Sequence, residues 1–258
     1  MRPKYPKLTF DRLKMYFGEP LTKSCTHGEV TVQSPTIGDI IKLGEEKFFS
    51  TLNLFVCNTT SYRLFLWDRK IDWNETTDFE LFCMIYGNID PDASKLLFGD
   101  LDFSLFQVKI RNLDDGSKKL VLANPDQNVE IDEDVYQTIH QYLQCMFNMH
   151  PEDLLTTETR MKKWWIAKDE RERARKEKKQ DNEEKFSLQP VISALVNHPG
   201  FKYKLQELRE VTVAEFYDSV KRLQIYEQST ALLKGMYSGM ISSKDIEPES
   251  YNFMRELN

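Results

Sequence analysis

Apolar and polar positions recur along this chain with two different periods, and each change of period marks a new element. Glu29-Val30-Thr31-Val32-Gln33 alternates strictly, the pattern of a half-buried strand. The residues before it, punctuated by Tyr5-Pro6, Pro20 and Gly28, read as irregular chain with some strand. From Thr36 the period lengthens. Ile37, Ile40, Ile41 and Leu43, then Phe48, Phe49, Leu52 and Phe55, recur at helical spacing and give one broad apolar face. Thr36 is the expected N-cap, with Asp39 at the third helical position. Gly38 and Gly44 each weaken this helix by up to about 1 kcal/mol, and Gly44 is the expected break. Further helices are predicted over Ser61–Arg69 and from Glu75 to Tyr86. The second carries Phe79, Phe82, Cys83 and Tyr86 on one face and meets a natural stop at Gly87. Asp90-Pro91-Asp92 opens a short helix that runs through Leu97 and ends at Gly99.

Alternation then returns. Phe106 to Arg111 and, more weakly, Leu120 to Leu122 flank an Asp115-Gly116 step, a strong hairpin-turn signal. Asn128 to Asp132 reads as a third short strand. Helical spacing resumes from Asp132 to Met146, with Val135, Ile139, Tyr142, Leu143 and Met146 on one face. Beyond a segment rich in charge, Ser187 is the expected cap of a helix holding Val191, Ile192, Leu195 and Val196, with Pro190 tolerated in its first turn. Thr212 with Glu215 three residues on forms a capping box for the next helix, whose apolar positions run from Phe216 to Tyr237. Ser250–Asn258 reads as a short final helix. The pattern predicts a mainly α protein with a small antiparallel β-meander (α+β). Residues 1–157 form an N-terminal α+β domain with the meander near 104–132. Residues 158–185 form a charged linker helix, and 186–258 a bundle-like helical C-terminal module.

Charge sharpens this division. The chain carries 35 Lys+Arg against 41 Asp+Glu, net −6, yet residues 158–185 hold 11 basic and 8 acidic residues. That segment opens with the apolar knot Met161-Lys162-Lys163-Trp164-Trp165-Ile166, and Lys168–Glu184 has only Ala174 as an apolar member. It reads as a solvated single helix or a flexible hinge. Basic residues beside two tryptophans can bind nucleic acid, but Asp169, Glu170, Glu172 and Glu177 dilute the positive field. Nucleic acid is therefore excluded as a partner. A membrane is excluded too: no window approaches the roughly 18 apolar residues of a spanning helix. The basic N-terminus lacks the apolar core of a secretory signal.

Candidate chemistry is sparse. Cys25, Cys57, Cys83 and Cys145 are too widely spaced for a disulfide framework or a metal knuckle and suit a reducing compartment. His27, His140, His150 and His198 lie in no zinc motif. Gly99-Asp100-Leu101-Asp102-Phe103 lacks the further ligands of a calcium loop, so Asp100 and Asp102 read as loop caps. Asp68, Asp72, Asp78 and Glu80 read as helix caps and solvated faces rather than paired catalytic carboxylates. No catalytic residue, cofactor or metal is expected. Partner binding is the better prospect, with Trp67, Trp164, Trp165, Gly235, Tyr237 and Gly239 as candidates. Tryptophans are costly to expose and frequent among interface hot spots. Gly235 and Gly239, four apart, allow a close approach or a chain turn.

Several stretches carry a resemblance: Thr31–Glu45 (TVQSPTIGDIIKLGE), Asp78–Phe82 (DFELF) with Leu97–Phe103 (LFGDLDF), Ile192–Tyr203 (ISALVNHPGFKY), and Phe216–Gln224 (FYDSVKRLQ) with Leu232–Gly239 (LLKGMYSG). Together they resemble a family of tail-morphogenesis proteins from bacteriophages and prophages of Gram-positive hosts. The opening strand and Thr-x-Gly-Asp helix are also similar to baseplate-hub assembly proteins of contractile-tailed phages. The resemblance implies a non-enzymatic tail-assembly chaperone, or alternatively a permanent component of tail, baseplate or connector. It implies phage tail proteins (tape measure, tube or baseplate hub) as partners, with self-association as a further option. The implied location is the host cytoplasm during assembly, or the virion tail. It transfers no catalytic residue.

Overall fold

A computed structural model describes residues 5–112, 116, 118–178, 187–242, 244 and 246–255. A short helix, α1 (Arg12–Tyr16), is capped by Asp11, whose carboxylate accepts from the Leu13 and Lys14 N–H groups. The irregular start also yields β1 (Leu21–Ser24), which pairs antiparallel with β2 (Glu29–Val32). Thr36 then starts α2 (Ile37–Leu43) with a complete capping box: its hydroxyl accepts from Asp39 N–H while the Asp39 carboxylate accepts from Thr36 N–H. Gly44, at φ +106°, breaks the helix as expected, and α3 (Glu45–Val56) continues in a new direction.

Gly38 is required by packing. A Cβ there would lie 2.5 Å from the Arg209 carbonyl oxygen, so its low helix propensity is the cost of a close helix-to-turn contact. Helices α4 (Arg63–Asp68) and α5 (Asp78–Ile85) follow. The expected start at Glu75 is corrected to Asp78, because Thr77 and Glu80 form a second capping box and residues 72–76 form a turn. Helix α6 (Pro91–Phe98) is capped by Asp90, as its Asp-Pro-Asp opening predicts.

Strands β3 (Gln107–Asn112), β4 (Lys118–Asn124) and β5 (Val129–Ile131) form the meander, in the order β3-β4-β5. Of the predicted hairpin turn, residues 113–115 and 117 lie outside the described residues; its flanking strands pair from Asn112↔Lys118 onward. Helix α7 (Glu133–Phe147), capped by Asp132 and closed by left-handed Asn148, buries Val135, Ile139, Tyr142, Leu143 and Met146 on one face. Those side chains share one core with an aromatic group around Phe55, whose ring centroid lies 4.8 Å from Phe98 and 5.0 Å from Phe82, and which Tyr136 of α7 joins at 4.9 Å from Phe82.

Helix α8 (Thr159–Lys178) covers the first part of the charged segment; residues 179–185 of the expected linker lie outside the described residues. Helix α9 (Gln189–Val196) has Leu188 rather than Ser187 at its N-cap, although the Ser187 hydroxyl accepts from Gln189 N–H. Its Leu188 and Leu195 enter the main core, as do Leu208, Val211, Val213, Ala214 and Phe216. Backbone bonds fix this junction: Ile37 N–H donates to Val211 C=O at 3.0 Å, and Val213 N–H to Pro35 C=O at 2.9 Å. One core therefore draws side chains from Met15 through Phe216. Helix α10 (Val213–Tyr237) is continuous for 25 residues, about 37 Å. The short final helix expected over Ser250–Asn258 is a single 3₁₀ turn, Pro248–Tyr251; residues 256–258 lie outside the described residues. Pro248 suits a first turn, and the turn ends at Asn252, whose backbone is extended (φ −82°, ψ 99°).

Candidate functional site

The candidate partner residues fall on two separate surfaces. Trp67, Trp164 and Trp165 belong to the α4–α8 side of the molecule. There α8 docks against a second, smaller apolar cluster built from Leu54, Cys57, Leu66, Trp73, Leu81, Ile85 and its own Ile166. Trp165 is half-buried against that cluster, and the Arg63 guanidinium lies 5.9 Å from its ring. Trp67 meets the buried Trp73 ring at 6.2 Å. Trp164 projects into solvent, 57% exposed.

Ion pairs complete the α8 seat. Arg63 donates two parallel bonds of 2.6 Å to the Asp169 carboxylate, with both side chains largely shielded from water. Lys162 bonds Asp72, and Arg173 reaches Asp68 at 3.3 Å. The Lys162 bond and the Asn74 N–H outweigh the opposing effect of burial and hold the Asp72 carboxyl below its ordinary range. The segment expected to be a solvated helix or hinge is thus helical and docked in its first half. Residues 171–177 are exposed throughout. Beside them runs an open groove of about 680 Å³ lined by charges of both signs, including Arg63, Asp169, Glu172 and Lys176.

Gly235, Tyr237 and Gly239 lie at the far end of α10. Gly239, at φ +74°, turns the chain, and the Met240 and Ile241 N–H groups both return to the Gly235 carbonyl, at 3.0 and 3.1 Å. The Ile241 side chain then covers Gly235, where a Cβ would come within 2.5 Å of it. The pair makes the chain turn; the close neighbour of Gly235 is the Ile241 side chain rather than another backbone, and nothing lies within 4 Å of a Cβ at Gly239. The tail folds back along α10. Arg222 donates to the Phe253 and Arg255 carbonyls at 2.8 Å each, and the Phe253 ring meets Tyr226 edge-on at 5.8 Å. This arrangement leaves Tyr237 86%, Met240 86% and Met254 74% exposed. Met240 and Met254 were not singled out by sequence reasoning. Their signal is a large apolar residue next to another, Met240-Ile241 and Phe253-Met254, in stretches with no helical period.

The remaining chemistry is structural. Burial pushes the Cys57 and Cys83 thiols up to about 12 and Cys25 to about 11, which suppresses thiolate formation. His140 is a satisfied core residue: its Nδ1 lies 2.7 Å from the Phe55 carbonyl, which makes Nδ1 the donor, and its Nε2 accepts from Gln144 at 2.8 Å. Asp78 accepts from Thr59 N–H, Glu80 completes a cap, and Asp102 caps the 3₁₀ turn Phe103–Leu105. Among the described residues no group of His, Cys, Asp and Glu is arranged to hold a metal, and no helix is long and apolar enough to cross a membrane.

Residues 176–258 match a family model described as the YomV second domain, a phage-derived family of the Bacillus prophage type, which is consistent with a phage protein. The match includes all of α10 and its folded-back tail. No curated protein and no solved structure matches the chain.

Proposed function

We propose that this is a non-enzymatic phage protein of tail assembly, a chaperone that holds a tail polypeptide (tape measure, tube or baseplate hub) through the distal end of α10. The observation that carries the reading is the exposure of Tyr237 and Met240 at the tip of a helix whose root is fixed in the core. Apolar side chains presented together on an ordered arm are costly in water and are stabilised by covering. Methionines suit this use, because their flexible thioether side chains adapt to varied apolar partners. The phage-derived family match over the same residues supports the phage setting. The suppressed thiols and the structural duties of His140, Asp72, Asp78 and Glu80 support a role without catalysis.

A permanent place in the tail or baseplate is the second reading. The unbroken run of α10 from core to tip favours it, since a rigid arm suits a fixed joint. Quantitative mass spectrometry of purified particles against infected-cell lysate separates the two. Abundance in the lysate with absence from particles is the chaperone result. A fixed copy number per particle overturns it in favour of the structural component.

A further inference from the structure

A cleft of about 360 Å³ on a different face joins four segments of the chain. Its walls are the N-terminal strap, α1, the end of α7 and the root of α10. The strap is fixed on α7: Leu8 N–H donates to Gln141 Oε1 at 2.8 Å, and Gln141 Nε2 donates to the Pro6 carbonyl at 3.1 Å. Phe10 meets Tyr142 edge-on at 5.2 Å. The cleft therefore has ordered walls rather than a loose flap.

Its lining is unlike the rest of the molecule. Lys7, Arg12, Lys221 and His150 converge there from four segments, and Asp218 is the only carboxylate among the lining residues. The chain as a whole is net −6, so this is a local reversal of sign. Between the cations lies an apolar floor of half-buried Leu8, Phe10 and Tyr217, backed by the buried Met15 and Met146. A second cleft of about 410 Å³ shares Lys7, Leu8, Cys145 and His150 with the first and runs on along α7, where Asp78 and Asp153 line it and end the positive stretch. Burial dominates the titrating groups here and raises Asp218 against Arg222, Lys202 and Arg12, while the cations act on their neighbours as well. Screening from water by the cleft walls lowers His150, and Lys221, Lys7 and Arg12 lower it further. Burial lowers Lys221, and Arg12 adds to it against the pull of Asp218. Burial raises Cys145 while the same three cations oppose it.

We propose that this cleft binds the carboxylate of an acidic peptide segment on a partner protein, with an apolar side chain of that segment against Leu8, Phe10 and Tyr217. A bound carboxylate relieves the mutual repulsion of the cations, and partial shielding from water strengthens each contact. The apolar floor distinguishes such a ligand from a free inorganic anion, which would leave the floor uncovered. A nucleic-acid backbone would need a longer basic track. The site is independent of the α10 tip and of the tail-assembly reading.

The test is isothermal titration of the full chain with an acetylated, amidated Glu-Leu-Glu-Leu-Glu peptide, with a Lys-Leu-Lys-Leu-Lys peptide and inorganic phosphate as comparisons. The acidic peptide binds, and its affinity falls at least about tenfold in Arg12→Glu/Lys221→Glu. It falls also when salt rises from about 0.05 to 0.5 M. Lys7→Glu, on an exposed strap residue, weakens binding in the same direction without lowering the melting temperature, which keeps the test decisive if the double variant folds poorly. Four outcomes overturn the proposal: no binding of the acidic peptide, equal binding of the Lys peptide, wild-type affinity in the charge-reversal variants, or phosphate binding tighter than the acidic peptide.

Discussion

The two longest helices, α8 and α10, are both held at the root and free at the far end, but by different chemistry. Helix α8 buries one side chain, Ile166, and half-buries Trp165; three ion pairs supply the rest of its seat. Helix α10 enters the main core with Val213, Ala214 and the fully buried Phe216, and packs Tyr217, Val220 and Leu223 beside them. Their free ends differ in the opposite sense. Residues 171–177 of α8 are nearly all charged, a solvated state with little cost. The α10 end exposes Tyr237 and Met240, with Met254 exposed on the tail that folds back along the helix. A charged end is complete in water, whereas an apolar end is stabilised by a partner. That difference is why the proposed docking role falls to α10.

The largest effect is expected at the α10 root. Phe216→Ala removes a fully buried ring and should cost about 3–5 kcal/mol in urea unfolding. A loss below about 1 kcal/mol would mean that α10 is not rooted as described. Next is the α8 seat. Arg63→Ala leaves the shielded Asp169 carboxylate without its two-bond partner and should cost about 2 kcal/mol. Hydrogen exchange should then speed up in α8 ahead of α10. Uniform acceleration in both helices would merge what the comparison separates.

Proton linkage sharpens the contrast. Asp72 has its folded pKa depressed by Lys162 and Asn74 against burial, so its contribution is fully present above the ordinary carboxylate range. It is lost as pH falls through the folded value, below about pH 4. The α10 root has a linkage of its own at higher pH: His150 beside it, lowered by burial and then by Lys221, Lys7 and Arg12, costs stability as pH falls through the ordinary imidazole range. Acid titration followed by segment-resolved hydrogen exchange should show a further loosening of α8 below about pH 4, and Asp72→Asn should remove part of that step. The smallest effect is at Arg173→Ala, whose pair with Asp68 is about half exposed and should shift stability by no more than about 0.5 kcal/mol.

Much of the fold is legible in the sequence, because its signals are local. Thr36 with Asp39, Asp90 ahead of Pro91, and Thr212 ahead of Val213 each start a helix where a side-chain acceptor meets orphan N–H groups. Helix α1 and strand β1 were less visible, since five and four residues give too few periods to count. The docking of α8 was hidden for another reason. Its partners Arg63, Asp68 and Asp72 are about 100 residues away, and its composition alone reads as solvated. The α10 tip was half legible. Gly235 and Gly239 marked the turn, but the exposure of Met240 and Met254 depends on how the tail folds back through Arg222, which no period encodes.

The central claim, that the α10 tip is the docking surface for a tail polypeptide, is tested most directly by affinity capture from phage-producing cells with Tyr237→Ser/Met240→Ser beside wild type. Captured proteins are identified by mass spectrometry, and stability is checked by thermal melt. The account predicts that wild type retains a phage-encoded tail protein and that the variant loses it with an unchanged melting temperature. Equal recovery of the same tail protein by both chains would contradict it.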